Sequence, residues 1–574
     1  MAEEKINQLI PERMLELMEA EGIKTLFGIP DPGFVAMFVT AEARGWRVIA
    51  PHHEQAGAFM ADGLYRMTGI PGVIIGNQGP GVANLAPAAI CAAKENIPTL
   101  FIAGQRERMF DQQVRRGHFQ YTRQARYFEE AMKYVGVIEY PDQVDDIFHE
   151  AFSKSLSGTP GTVWIEYPQD FAGAMHSFGP IKQPHEYRLI GQKADAESLE
   201  KARELLTEAT HPMILLGNGA FAARAHQAVS DLARCLQCPV VVTPGAGALL
   251  PAVLDQMAPY ASPPANHAIE QADVVLAIGT ELGEPVHFGS GRHWLKGNTG
   301  RSWIYVERDP TAIGVNRSID VPLVGDLRAI VPQLVDVLNA HAGQKRLPES
   351  FTAFRGEARA AQQEALASFP STSPIHPALL VTEATRALPE DTVIIRDGGA
   401  ASIWTMHYNQ QASSDVLWCG NFGHLGTGLP HAIGAQLAVG DKRRVVLMTG
   451  DSSFLFHISE LETAVRKNLP IVAIVNCDYS WGLEVKVYNA AFGDQSPETE
   501  AHWGNQLRLD KIAEGFGAHG EYVSRVEEIA PAVARALAAN RPAVVQVPVD
   551  SRANAIDVPG FEEFVTWYGD KGYS

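Results

Sequence analysis

The stretch "RRVVLMTGDSSF", residues 443–454, decides the fold. Val445 to Met448 are uninterruptedly apolar, the pattern of a strand buried on both faces, and after Thr-Gly an acid, Asp451, follows at the strand's carboxyl end. A helical pattern, "HISELETAVRKN" (457–468), comes next, then Leu-Pro and a second buried strand, "IVAIVN" (471–476). Asp478 stands at its end, 27 positions after Asp451. A βαβ unit returns its second strand parallel to the first, so the two acids arrive at one sheet edge. Either acid alone reads as a helix cap or a turn residue. Side by side they repel, unless a cation joins them. A divalent metal with oxygen ligands, most plainly Mg²⁺, meets that demand and completes its octahedron with water and a ligand phosphate. The Gly450 turn and the start of the next helix offer amide donors to such a phosphate.

The same strand–turn–helix rhythm runs through the whole chain, in "KTLFGI" (24–29), "GVIIG" (72–76), "GTVWIEYP" (161–168), "PMILLGNG" (212–219), "DVVLAIG" (273–279), "TVIIRDGG" (392–399) and "AVVQVPVD" (543–550). It predicts an α/β protein with mainly parallel sheets covered by helices on both faces. Polar and Pro-containing stretches at 176–195 and 342–377 interrupt it. Three α/β domains are expected, at 1–185, 190–345 and 370–552, with 553–574 as a C-terminal segment that either forms a lid or packs on the surface. The first and third place ligand-grade residues just past strand ends, where open parallel sheets bind ligands. The middle one carries "LLGNGAFAARA" (215–225), a partial match that is not G-x-G-x-x-G.

Composition narrows the function. The chain has 574 residues, 46% hydrophobic and 20% charged, and a formal net charge of −19. That balance offers no basic stripe for phosphates, so no nucleic-acid partner is expected. The opening "MAEEKINQLIPERM" lacks the basic and apolar parts of a signal peptide, and no apolar run reaches the roughly 18 residues of a membrane span. A cytoplasmic location without a membrane partner is expected. Five scattered cysteines form no disulfide framework, and the Cys235–Cys238 C-x-x-C lacks the second ligand pair of a zinc site.

"GDSSFLFHISELETAVRKNLPIVAIVNCD" (450–478) resembles the thiamine-diphosphate motif, which begins Gly-Asp-Gly and closes near two Asn. Ser452 replaces the Gly, and Cys477 and Asp478 stand over the two Asn, giving the site one more negative charge than usual. "APHHEQAGAFMADGLYRMTG" (50–69), "GNQGPGVANL" (76–85), "IPTLFIAGQ" (97–105), "RDGGAASIWTMH" (396–407) and "NFGHLGTGLPHAIGA" (421–435) extend the resemblance over nearly the whole chain, toward the acetolactate-synthase-like branch and its 2-hydroxyacyl-CoA lyase and oxalyl-CoA decarboxylase relatives.

The resemblance implies pyrimidine-binding, central and diphosphate-binding domains and the cofactors thiamine diphosphate and Mg²⁺. The metal would take Asp451, Asp478 and the Ser480 carbonyl. Gly399, Ala400, Ala401, Gly450, Ser452, Ser453, Trp481 and Gly482 would surround the diphosphate, while His424 and Leu425 would prop the cofactor. Glu54 would be the essential glutamate beside the pyrimidine. The implied assembly is a homodimer or homotetramer with active sites at the subunit interface, cleaving or joining C–C bonds next to a carbonyl.

The substrate signals divide. "GDSSF", "NFGHLG", "HFG" (287–289) and "HFQ" (118–120) resemble the acyl-CoA branch, which would place CoA or ADP in the central domain. "RDGGAASIWTMH", with Trp404, and with Met406 where that branch carries Arg, resembles enzymes of free 2-oxo acids. "TELGEPVHFG" (280–289) replaces the Arg-Phe-Asp-Asp run of flavin-binding synthases, which argues against bound FAD. Gln78, His118, Gln120, His424, Trp481 and Glu484 are the candidate substrate-side groups, and Phe119 and Gln120 match the acyl-CoA pattern. Each also reads as an ordinary loop or packing residue. The leading expectation is a decarboxylase or carboligase of a small 2-oxo acid. The alternatives are an acyl-CoA C–C lyase and a non-catalytic thiamine-diphosphate-binding protein, which would have no use for a proton-relaying Glu54.

Overall fold

The computed structural model describes residues 5–558 except 113–115, 298, 299, 340–345, 372, 494–499, 505, 554, 556, 557. It contains three six-stranded parallel sheets and a small antiparallel pair, Ile6–Leu9 with Met175–Phe178. Two compact units result: Met1–Ile190 with Ile433–Ala438, and Gly191–Ala432 with Val439–Ser574.

The first unit's sheet runs Arg47–Ile49, Thr25–Gly28, Val73–Gly76, Leu100–Gln105, Val163–Pro168, Tyr134–Val137. Numbered by sequence within the sheet this is the order 2-1-3-4-6-5. Residues 73–76 and 163–168 are buried throughout, as expected of strands covered on both faces.

The second unit holds the other two sheets. One runs Met257–Pro259, Val240–Val242, Pro212–Leu216, Val274–Ile278, Ser302–Glu307, Val321–Val324, the doubly wound order 3-2-1-4-5-6. The other runs Val416–Leu417, Val393–Arg396, Val445–Gly450, Val472–Cys477, Ala543–Pro548, His519–Tyr522, which repeats the order 2-1-3-4-6-5 of the first unit. In that order the chain reverses direction across the sheet between its first and third strands, and the crevice outside their carboxyl ends is where such folds bind ligands. Here that crevice opens at Asp397–Gly399 and Gly450–Asp451.

The quoted stretch folds as expected: Val445–Gly450 pairs in parallel with Val472–Cys477 in the register Gly450↔Asn476. The glycines of "LLGNGAFAARA" serve packing. A Cβ on Gly217 would lie 2.2 Å from the Gly279 carbonyl and one on Gly219 3.0 Å from Gly279 itself, so these positions are small because two loops touch. Among the described residues no helix is long and apolar enough to cross a membrane, and no disulfide joins the cysteines.

Candidate functional site

Asp451 is the first residue of a short helix, Asp451–Leu455, with Gly450 as its N-cap. Its Oδ1 accepts the Ser452 N–H and its Oδ2 the Tyr479 N–H, both at 2.8 Å. Asp478 in turn accepts the Ser480 N–H at 3.0 Å. Burial pushes both carboxyls above the usual carboxylate range, and the charge of Asp478 drives Asp451 further up. Two carboxylates so placed resist joint ionisation, and a shared cation removes the conflict.

The loop after Asp478 is clamped: Trp481 N–H donates to Ala501 O at 2.8 Å and Trp503 N–H to Tyr479 O at 3.1 Å. The Ser480 carbonyl lies between these bonds and takes part in neither, as an oxygen ligand to a metal requires. Gly482 must be glycine, since a Cβ there would sit 2.0 Å from Asp478 Oδ2.

A cavity of about 160 Å³ opens above the pair. One wall is the amino end of the helix Ala400–Tyr408, with Gly399 as N-cap and Ala400, Ala401 and Trp404 facing in. Gly398, at φ +92°, turns the chain into it, and a Cβ there would meet Ser453 Oγ at 3.1 Å. A second wall is Gly450, Ser452, Trp481 and Gly482, with Glu484 exposed at the start of the helix Gly482–Phe492. Gly423 and Leu425 line it as well. His424, on the same loop, is not among the lining residues; its Nδ1 lies 2.7 Å from the Leu425 carbonyl. Ala553 and Ala555 reach the cavity from the C-terminal segment, whose expected lid otherwise lies outside the described residues.

Two buried polar atoms here have no protein partner: Ser453 Oγ and Asn476 Oδ1. Buried polar groups are rarely left unpaired, so these point to a polar ligand. Two acids, an unpartnered hydroxyl and a helix amino end fit a divalent cation carrying a diphosphate.

Asp397 was not anticipated. Wholly buried, it accepts N–H bonds from Gly398 at 2.7 Å, Gly426 at 3.2 Å and Gly428 at 2.9 Å, so it buckles the loop that opens the crevice to the loop bearing Leu425. Burial outweighs those donors and raises its carboxyl to about 6. The acid directly before the Gly-Gly pair of "RDGG" was the available signal. Asn476, in the strand Val472–Cys477, was likewise missed; it lines the cavity together with Asp478.

In the first unit Glu54 is the first residue of the helix Glu54–Thr68, capped by His53, whose Nδ1 accepts the Gln55 N–H. It is 6% exposed, and its Oε2 accepts from Asn84 Nδ2 at 2.9 Å. A Cβ on Gly81 would come within 3.1 Å of Oε1, so glycine keeps that oxygen approachable. Asn84, inside the quoted "GNQGPGVANL", is a third residue the sequence did not single out.

Gln78 follows the strand Val73–Gly76, and its Oε1 is buried without a partner. Its neighbour Gly79 donates to Gln124 Oε1 at 3.1 Å and lies so close to the Gln120 carbonyl that a Cβ would reach 2.3 Å. The structure therefore brings Gln78 and Gln120 onto touching loops. Phe119 is 83% exposed, and His118 sits between the rings of Phe110 and Tyr121. At the crevice of this sheet, Asn77 Nδ2 donates to Asp31 at 3.2 Å while its Oδ1 accepts the Gly81 N–H.

Three family models match the chain. Residues 10–126 match the thiamine pyrophosphate enzyme N-terminal TPP binding domain, residues 199–334 the central domain and residues 397–547 the C-terminal TPP binding domain. A probable acetolactate synthase large subunit of Methanococcus aeolicus is 26% identical over 567 residues, 96% of this chain and 93% of that protein. The acetolactate synthase of Bacillus subtilis (strain 168) is 29% identical over 557 residues, 95% and 93% of the two chains. A sulfoacetaldehyde acetyltransferase of Castellaniella defragrans is 28% identical over 567 residues, 93% and 91%.

Proposed function

The chain belongs to the thiamine diphosphate-dependent, acetolactate synthase-like enzymes, and from that premise we propose that it decarboxylates or ligates a small 2-oxo acid with Mg²⁺ at Asp451 and Asp478. Its class, a thiamine diphosphate-dependent carboligase or decarboxylase, follows from its relatives; the metal and the substrate are the proposal. The observation that carries it is the pair of buried carboxylates at adjacent strand ends, facing a cavity that Asn476, with its Oδ1 buried and unpartnered, also lines.

Thiamine diphosphate, when bound, supplies an acidic thiazolium carbon that adds to a carbonyl and stabilises charge while a neighbouring C–C bond breaks or forms. The residues do the rest. Asp451, Asp478 and the Ser480 carbonyl hold the metal, and the amino end of Ala400–Tyr408 with Ser452 and Ser453 binds the diphosphate. Leu425 props the cofactor from its loop. Glu54, fixed by Asn84 at one oxygen, holds or releases a proton at the other. Gln78 and Gln120 offer amide groups to a substrate, and Trp404 keeps that side of the cavity apolar, in favour of a small free acid over a CoA ester. Glu484 is a second acid–base group within reach of the cavity mouth. The working assembly is a homodimer or homotetramer in the cytoplasm, with the two halves of each site supplied by different protomers.

The test follows CO₂ or aldehyde release from a panel of 2-oxo acids and from 2-hydroxyacyl-CoA esters, with Mg²⁺ and thiamine diphosphate, and Glu54→Gln as control. Turnover of free acids that the variant loses is expected. Turnover of CoA esters alone would overturn the substrate class.

A further inference from the structure

Arg396 ends the strand Val393–Arg396, one residue before the buckle Asp397, but its side chain serves a different place. It is 2% exposed, and the guanidinium lies over Gly247 of the central sheet's following turn, where a Cβ would meet Nη2 at 2.5 Å. Nη2 donates to the Pro244 carbonyl at 3.0 Å, and the Trp418 ring stands 4.7 Å from the guanidinium carbon. Nε is buried with no partner.

No carboxylate balances this charge among the described residues. Burial lowers Arg396 to about 10, so it stays a cation at neutral pH, and burial with the Arg396 charge drives His407 down to about 4, so that ring is neutral. Another buried charge on these two sheets is treated differently: Asp415 is held by both Arg224 and Arg443. An unpaired buried cation costs several kcal/mol, on the order of a whole domain's margin of stability.

A narrow space of about 30 Å³ is lined by Arg396 together with Gly247, Thr243, Thr405, Asn409 and apolar side chains. That is room for about two waters or a single halide ion and is too small for a phosphate. Water would satisfy Nε but leave the charge.

We propose that the cavity beside Arg396 binds a small monovalent anion of halide size, fastening the turn at 244–247 to the strand that delivers the Asp397–Gly399 loop. The anion neutralises the guanidinium, completes its hydrogen bonding and makes the junction of the two sheets sensitive to which salt is present.

The test uses the full-length protein in buffers of constant ionic strength where chloride replaces gluconate, an anion too large for the cavity. Wild type is expected to show a melting temperature that rises by a few degrees and saturates with chloride, and Arg396→Met to lose that rise. An equal response in both proteins, or none in wild type, overturns the proposal. Should Arg396→Met fail to fold, wild-type crystals grown in bromide decide: an anomalous peak in hydrogen-bonding reach of the guanidinium supports it, and ordered water alone at that place overturns it.

Discussion

Asp451 Oδ2 accepts the backbone N–H of Tyr479 at 2.8 Å, so the acid that ends one central strand fixes the residue that follows the acid ending the next. The two carboxylates cannot drift apart, and burial together with the charge of Asp478 pushes Asp451 toward protonation when no cation is present. Replacing Asp478 by Asn removes one charge and keeps an oxygen ligand. The metal-free protein should gain about 1–2 kcal/mol, and the added stabilisation from Mg²⁺ with thiamine diphosphate should shrink relative to wild type. Thermal melts in EDTA and in Mg²⁺ check both.

Glu54→Gln keeps the volume and the approach of Asn84 but cannot take up the proton. Turnover should fall by about 10²–10⁴-fold, with cofactor affinity nearly unchanged, because the diphosphate and metal groups are untouched. Steady-state rates beside a cofactor titration separate the two effects.

Asp397 gives a pH dependence of known sign. Its folded pKa of about 6 stands above its ordinary 3.8, so the stability it contributes is present below about pH 4 and lost as pH rises through 6. The difference amounts to about 3 kcal/mol. Urea midpoints of wild type and Asp397→Asn, compared from pH 4 to 7, should shift in favour of the variant as pH rises. A pH-independent difference would count against the assignment.

Asp415 behaves in the opposite sense. Arg224 and Arg443 hold its carboxyl below the usual range, against the effect of burial, so its contribution is present above about pH 4 and lost on acidification. Asp415→Ala leaves two arginines without their partner and should cost about 3–5 kcal/mol, measurable as a lowered urea midpoint at neutral pH.

Much of this was legible from residues alone. Strands buried on both faces, such as Val445–Gly450, announce themselves as apolar runs, and the βαβ rule by itself brings Asp451 and Asp478 to one edge. What sequence could not show are contacts between loops far apart in the chain. Asp397 reads as one more strand-end acid until Gly426 and Gly428 come to it from about thirty positions away. Asn84 acquires meaning only when its helix lies against the start of another, at Glu54. The glycines at 217 and 219 mislead for the same reason, since a close loop crossing and a phosphate cradle both demand a missing Cβ.

The proposed function stands on Asp451 and Asp478 holding a divalent metal that in turn holds the diphosphate. Calorimetric titration of thiamine diphosphate into metal-stripped protein, with and without Mg²⁺, tests it most directly, with Asp451→Ala alongside. Wild type is expected to bind tightly only when Mg²⁺ is present, and the variant to lose that Mg²⁺ dependence. Equal binding with and without the metal, or an Asp451→Ala protein that binds as wild type does, would contradict it.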